Sequence, residues 1–204
     1  AGRCKSVADV KDVVSSAAQF CLVGSITMEK RDGNRGETWK VPLNSLGLPN
    51  PGSKEVRTMA SEMIGIAHEA GKPAIMSAAG FSIDEFVELA DIAEECGFDG
   101  CEQNLACPNV VPGGKRKPMF CFDTDTTGTI VSRTRNLLKA RNPTVLLTQK
   151  VSMISNPMFI IELAGVLVNV GTDGVVAINA VPNALLYRED GKPVIDTPDK
   201  TGWA

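Results

Sequence analysis

Two hydrophobic patterns alternate along the chain. Short, continuously apolar runs between polar residues are typical of buried strands, whereas apolar residues at helical spacing predict helices that pack against those strands. The predicted strands comprise residues 20–23, 73–77, 98–104, 144–150 and 173–179. The predicted helices, with their capping residues, comprise residues 6–18, 53–71, 82–97, 129–141 and 157–170. Because strands and helices alternate, the sequence predicts a parallel sheet within one α/β domain spanning residues 1–204.

Capping and turn residues set the ends of several predicted elements. Ser53 and Ser82 are predicted to cap the N-termini of two helices, and Gly71 and Gly97 are predicted to stop them. Near the end of the chain, Asp190-Gly191 separates two short apolar runs and predicts the tight turn of a hairpin.

Polar residues recur where the predicted strands end. Ser77, Asn104, Lys150 and Asn179 end four strands, and Lys30 lies shortly beyond another. A (β/α)8 TIM barrel gathers its functional groups at this face. The alternative is an open doubly wound sheet, which usually carries a glycine-rich phosphate turn after its first strand, and none is visible here. The pattern therefore favours the barrel.

The predicted barrel is incomplete. A barrel of this kind usually needs ~250 residues, whereas this chain has 204 residues and about six predicted strands, the first barely present. The last two βα units are therefore predicted to be missing. Such a sheet would keep open edges, so we expect a longer polypeptide or a second chain to complete it.

Composition excludes several classes of protein. A hydrophobic fraction of 43% supports a full core, and a net charge of −3 argues against nucleic acid as the main partner. No apolar run is long enough to span a bilayer and no signal-peptide pattern is present, so no membrane role is expected. Six cysteines without a C-x-x-C pair, and one histidine, argue against a zinc or iron–sulfur site. They fit reduced thiols in a cytoplasmic protein.

Two polar segments carry the candidate chemistry. The stretch from Asn104 to Asn109 offers side-chain amides that can bind a planar heterocycle, and it contains Cys107, whose thiol can act as a base or nucleophile. Taken alone, it equally fits a capped loop with a buried cysteine. The second segment is a polar loop that extends to Gly52, and loops of this length in compact domains are usually functional or disordered.

Three segments together resemble the class 1 (soluble) dihydroorotate dehydrogenases. They read TMEKRDGN at residues 27–34, NSLGLPN at residues 44–50 and NLACPNV at residues 104–110. The similarity covers nearly the whole chain, in the right order. The resemblance implies an FMN-dependent (β/α)8 barrel that oxidises (S)-dihydroorotate to orotate in de novo pyrimidine biosynthesis.

The resemblance also implies residue roles. Cys107 is similar to the catalytic base that takes a proton from C5 of the substrate while C6 passes a hydride to FMN, and Lys30 to the lysine between flavin and substrate. Lys150 is expected near N1 and O2 of the flavin. The implied substrate contacts are Lys30, Asn44, Leu46, Gly47, Leu48, Asn104, Asn109 and Asn179. The implied cofactor contacts are Ala1, Gly2, Lys30, Ser77, Asn104, Lys150 and Ile178.

Departures from the family pattern keep two rivals open. Ala180 stands where the family commonly has serine, and residues 151–154 replace an expected proline-rich turn. A dihydropyrimidine dehydrogenase-like reductase would place its cysteine further along the loop, where Cys121 lies. A non-catalytic barrel paralogue or subunit is the other rival.

The resemblance implies partners that the chain itself does not identify. Family members use fumarate as homodimers, or NAD through an iron–sulfur flavoprotein, so we expect a homodimer or a partner electron-transfer subunit. The run Lys115-Arg116-Lys117 is expected to be the solvated tip of the loop after the strand at residues 98–104. The missing last units would supply the flavin phosphate site.

Overall fold

The computed structural model describes residues 4–34, 44–107, 117–182 and 184–195. Five strands alternate with five α-helices across these residues. The strands are β1 Cys21–Ile26, β2 Ala74–Ala78, β3 Gly100–Asn104, β4 Leu146–Val151 and β5 Gly174–Ala177. The helices are α1 Val7–Val14, α2 Ser53–Glu69, α3 Ile83–Glu95, α4 Thr124–Arg141 and α5 Pro157–Asn169, and a 3₁₀ turn spans Phe120–Phe122.

All five strands are parallel and adjacent in the order in which they occur along the chain, β1-β2-β3-β4-β5. A doubly wound sheet reverses its strand order at a switch point, so that alternative is wrong. A parallel bridge between Cys4 and Val23 marks the barely present strand before β1. The predicted α/β barrel fold is confirmed, as a partial barrel.

The two faces of the sheet differ in character. Met76, Cys101 and Leu147 pair across β2, β3 and β4, and their buried side chains therefore share one face. That face packs against the helices: Gln103, which lies on the same face as Cys101, donates from Nε2 to Thr134 Oγ1 of α4 at 2.9 Å. The opposite face, which lines the inside of the partial barrel, carries polar side chains.

The sequence prediction is wrong at the ends of some helices. Ser53 does not cap α2: Gly52 is its N-cap, and Ser53 Oγ donates to Met28 O at 3.0 Å. Gly52 has a φ of +85°, and a Cβ there would lie 2.6 Å from Lys30 N, so the site requires glycine. Ser82 does cap α3, since its Oγ accepts from Glu85 N.

Two other helix boundaries differ from those predicted. Helix α4 begins five residues earlier, because Asp123 accepts from Thr126 N at 2.9 Å and supplies the cap. Helix α1 ends at Val14, four residues early. The predicted hairpin is present in the described residues: Arg188 N donates to Lys192 O at 2.7 Å, and Tyr187 bridges Pro193.

Candidate active site

A layer of polar side chains lies on the inner face of the sheet, at the C-terminal ends of the strands. Ser77 pairs in register with Glu102, and Asn104 pairs with Lys150, so neighbouring strands place these groups side by side. Because all the strands are parallel, their carboxyl ends meet at one edge of the sheet. The structure therefore brings together Ser77, Asn104 and Lys150, three of the residues that the sequence predicted.

Glu102 is the centre of this layer. Its Oε1 accepts from Ser77 Oγ at 2.8 Å and from Lys150 Nζ at 3.3 Å, and Ser25 Oγ lies 2.9 Å from Ser77 Oγ. The side chains of Lys150 and Glu102 are only 7% and 3% exposed. A charge this deeply buried is tolerated when it is paired and hydrogen-bonded, and Glu102 and Lys150 provide that for each other.

Side-chain amides hold the turn that leads to Cys107. Asn104 Nδ2 donates to Ser25 Oγ at 3.0 Å, while Asn104 Oδ1 accepts from Ala106 N at 3.3 Å. Asn179 Nδ2 donates to Asn104 Oδ1 at 3.1 Å and to Ala106 O at 2.7 Å. The residue that follows β5 therefore ties down the residues that follow β3, and Cys107 comes directly after them.

Cys107 differs from the cysteines that come before and after it in the sequence, Cys101 and Cys121. Burial raises the pKa of Cys101 to about 12. Burial also raises the pKa of Cys121, whose side chain has no exposed surface. Cys107 is 8% exposed and lies at the end of the polar layer. A thiol must be able to lose its proton to act as a base, so the environments of Cys101 and Cys121 disfavour that role.

The predicted substrate loop packs against the residues that follow β1. Asn34 N donates to Leu46 O at 2.8 Å, and Asn34 Nδ2 donates to Ser45 O at 2.8 Å. Arg31 Nε donates to Gly47 O at 3.2 Å. Gly47 has a φ of +68°, and a Cβ there would lie 2.4 Å from the Asn34 side chain, so this close packing requires glycine.

Other predicted site residues are not part of the buried layer. Lys30 is an exposed ion-pair partner of Asp32, at 3.6 Å with 73% of its side chain exposed. Leu46 and Ile178 are also exposed, Asn44 and Leu48 are half-buried, and Leu48 has a left-handed φ of 59°. Ala1, Gly2 and Asn109 lie outside the described residues. Their predicted contacts stay predictions.

Lys117 corrects the expectation of a solvated basic loop tip. The residue is only 4% exposed, and its Nζ lies 4.6 Å from the ring centroid of Phe120, 5.6 Å from that of Phe86 and 5.9 Å from that of Phe81. Among the described residues this Nζ has no hydrogen-bond partner. The long aliphatic stem and the attraction of a cation to aromatic faces explain how a lysine is accommodated there. Lys115 and Arg116 lie outside the described residues.

Three residues of this region were missed or misjudged from sequence. Glu102 carried a usable signal, because a carboxylate inside an otherwise buried strand is rare unless it is paired. Ser25 is a small polar residue in a strand and gave no signal. Lys117 is buried by aromatic residues that are distant in the sequence, Phe81 and Phe86 among them.

Two features are absent from the part of the chain that is described. No cluster of three or more metal-ligating side chains occurs there. Nor is any of the described helices both long enough and apolar enough to cross a bilayer.

Residues 1–202 match the family model described as dihydroorotate dehydrogenase. The dihydroorotate dehydrogenase B (NAD(+)) catalytic subunit of Bacillus pumilus (strain SAFR-032) is 31% identical over 186 residues, 89% of this chain and 55% of that protein. The dihydroorotate dehydrogenase (fumarate) of Lachancea kluyveri is 29% identical over 205 residues, 98% of this chain and 62% of that protein. The chain thus spans little more than half the length of these relatives.

Solved structures agree on the fold. The structure of dihydroorotate dehydrogenase in complex with ferulenol from Eimeria tenella aligns with a TM-score of 0.64 and 17% identity, over 86% of this chain and 53% of that one. A 2,3-dimethylmalate lyase aligns with a TM-score of 0.57 and 12% identity, over 86% and 57% of the two chains. At these identities the likeness concerns the fold alone.

Proposed function

The chain belongs to the dihydroorotate dehydrogenase family, as its class 1 motifs predicted, and on that premise we propose that the protein oxidises (S)-dihydroorotate to orotate with bound FMN. The observation that carries the proposal is the position of the Asn104–Cys107 turn. It follows a buried polar layer at the face where barrels gather their chemistry. The aligned part of the chain covers only 55% and 62% of the two relatives described above, so the proposal concerns the whole protein.

The donor set of the polar layer fits a planar heterocycle with several acceptor atoms. Lys150 supplies a buried cation, only one of whose three donor hydrogens is needed by Glu102. Ser77 and Asn104 add neutral polar groups on the same face. We assign these three residues, with Lys30, Ile178 and the outlying Ala1 and Gly2, to the FMN site. When bound, FMN would accept the hydride that leaves C6 of the substrate and with it the two electrons of the oxidation.

Cys107 is assigned the proton transfer. Its thiolate takes the proton from C5, forming an S–H bond as the C5–H bond breaks, and the released electron pair becomes the C5=C6 double bond as hydride leaves C6. Asn104 and Asn179 fix the turn before Cys107, which positions the sulfur. A positioned base of this kind typically contributes about 10²–10⁴ in rate.

The remaining substrate contacts are assigned around this proton acceptor. Dihydroorotate carries a carboxylate and a ring with amide-like donors and acceptors, which suit side-chain amides and backbone groups. Asn44, Leu46, Gly47 and Leu48 are assigned to the carboxylate side. Asn104, Asn109 and Asn179 are assigned to the pyrimidine ring, and Lys30 to both substrate and flavin.

The rival reading with Cys121 as the base is disfavoured by burial. The Cys121 side chain has no exposed surface, and burial raises its pKa. Burial penalises the thiolate, the form in which a cysteine acts as a base. The position of Cys107 within the run from Asn104 to Asn109, rather than further along the loop, supports dihydroorotate as the substrate.

Anaerobic reduction of the bound flavin tests the proposed substrate. The purified full-length protein, loaded with FMN, is mixed with dihydroorotate or with dihydrouracil, and flavin absorbance is followed. We expect dihydroorotate to bleach the flavin and dihydrouracil to act far more slowly. Faster bleaching by dihydrouracil would support the rival reductase, and no bleaching by either would support a non-catalytic barrel.

The electron acceptor and the assembly follow as part of the same proposal. Relatives of both the NAD(+) and the fumarate type match this chain. We therefore keep two arrangements, a homodimer that reduces fumarate and a catalytic subunit with a partner electron-transfer subunit. Native mass measurement, combined with turnover on fumarate, separates them. The predicted cytoplasmic location stays a prediction.

A further inference from the structure

Lys117 has an unusual place for a lysine. Its ammonium group lies over three aromatic rings, of which Phe86 and Phe120 pack edge to face with centroids 5.6 Å apart. Within the described residues it has no hydrogen bond. Cation–π attraction offsets only part of the hydration that a buried ammonium group loses. Desolvation accordingly lowers the pKa of Lys117 to about 8.

The aromatic cage is joined to the Cys107 turn. Cys121, which follows Phe120, donates its backbone N–H to Leu105 O at 3.3 Å. The turn at Phe120–Phe122 therefore lies against the residues that lead to Cys107. Lys117 contacts the Phe120 ring most closely, so its ammonium group is held beside this junction.

Among the described residues, few charged groups act on Lys117. Those that favour its protonated form are, in order, the thiols of Cys107 and Cys121 and the carboxylate of Glu85 on α3. Glu85 Oε2 already accepts from Phe81 N at 2.7 Å. In the described part of the chain, the guanidinium group of Arg31 is a second cation at the cage, 5.3 Å from the Phe81 ring centroid.

Burial decides which thiol can carry the negative charge. Cys121 has no exposed surface, and its pKa is raised because burial penalises the thiolate. Cys107 retains some exposure and adjoins the polar layer. Of these two thiols, Cys107 is therefore the one that keeps access to a substrate.

We propose that Lys117 is a positioning residue whose caged ammonium group stabilises the thiolate form of Cys107, the form that accepts the C5 proton. This inference rests on the proposed function of Cys107. The thiol proton passes to solvent before the reaction, and the new S–H bond forms when the C5–H bond breaks. Lys117 itself exchanges no proton with the substrate. The buried ammonium group of Lys117 thus favours the thiolate form of Cys107, which is the form that acts as a base.

Alkylation of Cys107 tests the proposal without any turnover. Iodoacetamide reacts with the thiolate, so the rate at Cys107, followed by peptide mass mapping across pH, reports its ionisation. The full-length protein is compared with Lys117→Met and Lys117→Arg. An opposite charge nearby shifts a titration by about one unit or more. We therefore expect Lys117→Met to react about tenfold more slowly at pH 7, and Lys117→Arg to stay near the wild type.

The matched control is Lys139→Met, which removes an exposed lysine of α4. It is expected to leave the alkylation profile of Cys107 unchanged. An unchanged profile in Lys117→Met would overturn the proposal. Failure of Lys117→Met to fold would also contradict it, because removing a costly buried charge should make the protein more stable.

Dihydroorotate oxidation provides the second readout. The acidic limb of the kcat profile is expected to move to higher pH in Lys117→Met, and a purely structural lysine would not move it. If wild-type protein shows the alkylation behaviour but does not oxidise dihydroorotate, the proposed function fails while the role of Lys117 stands. If the wild type oxidises dihydroorotate but the alkylation rate of Cys107 does not depend on Lys117, the role of Lys117 fails while the proposed function stands.

Discussion

Lys150 and Lys117 are both buried near the carboxyl ends of the strands, but their ammonium groups have different surroundings. Lys150 Nζ lies 3.3 Å from Glu102 Oε1, which also accepts from Ser77. Lys117 lies over aromatic rings and has no hydrogen-bond partner among the described residues. The first charge is compensated within the fold. The second is compensated only in part.

This difference indicates different uses for the two charges. Removing the partner of a buried ion pair leaves an uncompensated charge, which is strongly destabilising. Lys150 is thus a fixed component of the polar layer. An unpaired buried cation is retained at a cost in stability, and its field acts on whatever group lies beside it. For Lys117 that group is Cys107.

The largest expected effect on stability comes from breaking the Lys150 pair. Glu102→Gln keeps an acceptor for Ser77 but leaves Lys150 without a counter-charge, and we expect it to lower the free energy of unfolding by about 3–5 kcal/mol. Glu95→Gln is the matched control, because Glu95 forms an exposed ion pair with Arg57 at 2.7 Å. Urea denaturation measures both variants. Equal losses of stability in the two variants would contradict the view that the buried Glu102–Lys150 pair matters more than an exposed ion pair.

A second change should reverse much of that loss. In Glu102→Gln/Lys150→Met the charge left behind by the first substitution is gone. The double variant should therefore be more stable than Glu102→Gln alone, as expected for residues that act as a pair. If the two losses simply add, the pair is not the reason that Glu102 matters.

Lys117→Met should raise the free energy of unfolding rather than lower it. The pKa of Lys117 falls from 10.5 to about 8 on folding, which corresponds to a destabilisation of about 3 kcal/mol while the lysine is charged. In the wild type the native state binds fewer protons than the unfolded state between about pH 8 and 10.5, so its stability rises with pH in that window. The advantage of Lys117→Met should be greatest below pH 8 and fade toward pH 10.5.

Thermal unfolding across this pH range measures the effect as the difference between variant and wild type. Groups common to both proteins cancel in that difference. An advantage that is absent, or that does not vary with pH, would show that Lys117 is not held charged at a cost.

The smallest expected effect on stability concerns the side-chain amide of Asn179, which links the end of β5 to the turn before Cys107. Asn179→Ala removes hydrogen bonds to Asn104 Oδ1 and Ala106 O. Asn104 Oδ1 keeps its hydrogen bond from Ala106 N, whereas the carbonyl oxygen of Ala106 loses the donor that Asn179 supplies. We therefore expect the free energy of unfolding to fall by about 1–3 kcal/mol. Chemical denaturation measures that loss. Faster hydrogen exchange at residues 104–107 is expected alongside it, and unchanged exchange would contradict the tethering role.

The alternation of strands and helices could be predicted because it depends on local periodicity. Every predicted strand and helix is present within the described residues, and errors are confined to their ends. Ser53 looked like a cap, but its hydroxyl donates to Met28 O, a contact with a distant segment. Asp123 was overlooked because the glycine, proline and lysine content of residues 110–127 predicted a loop there, whereas α4 begins at Thr124.

The polar layer could be predicted in outline for a topological reason. Parallel strands end at one edge, so Ser77, Asn104 and Lys150 had to converge. Their partners could not be derived, because the Glu102 ion pair depends on strand register. The burial of Lys117 was harder still, since charged runs are usually solvated and its aromatic neighbours come from separate segments.

Single-turnover flavin reduction tests most directly whether Cys107 is the base for dihydroorotate oxidation. The FMN-loaded, full-length wild type is compared anaerobically with Cys107→Ala and, as a control, Cys121→Ala. We expect Cys107→Ala to reduce its flavin about 10²–10⁴ times more slowly, and Cys121→Ala to stay within a few-fold of wild type. Equal rates for Cys107→Ala and wild type would contradict the assignment.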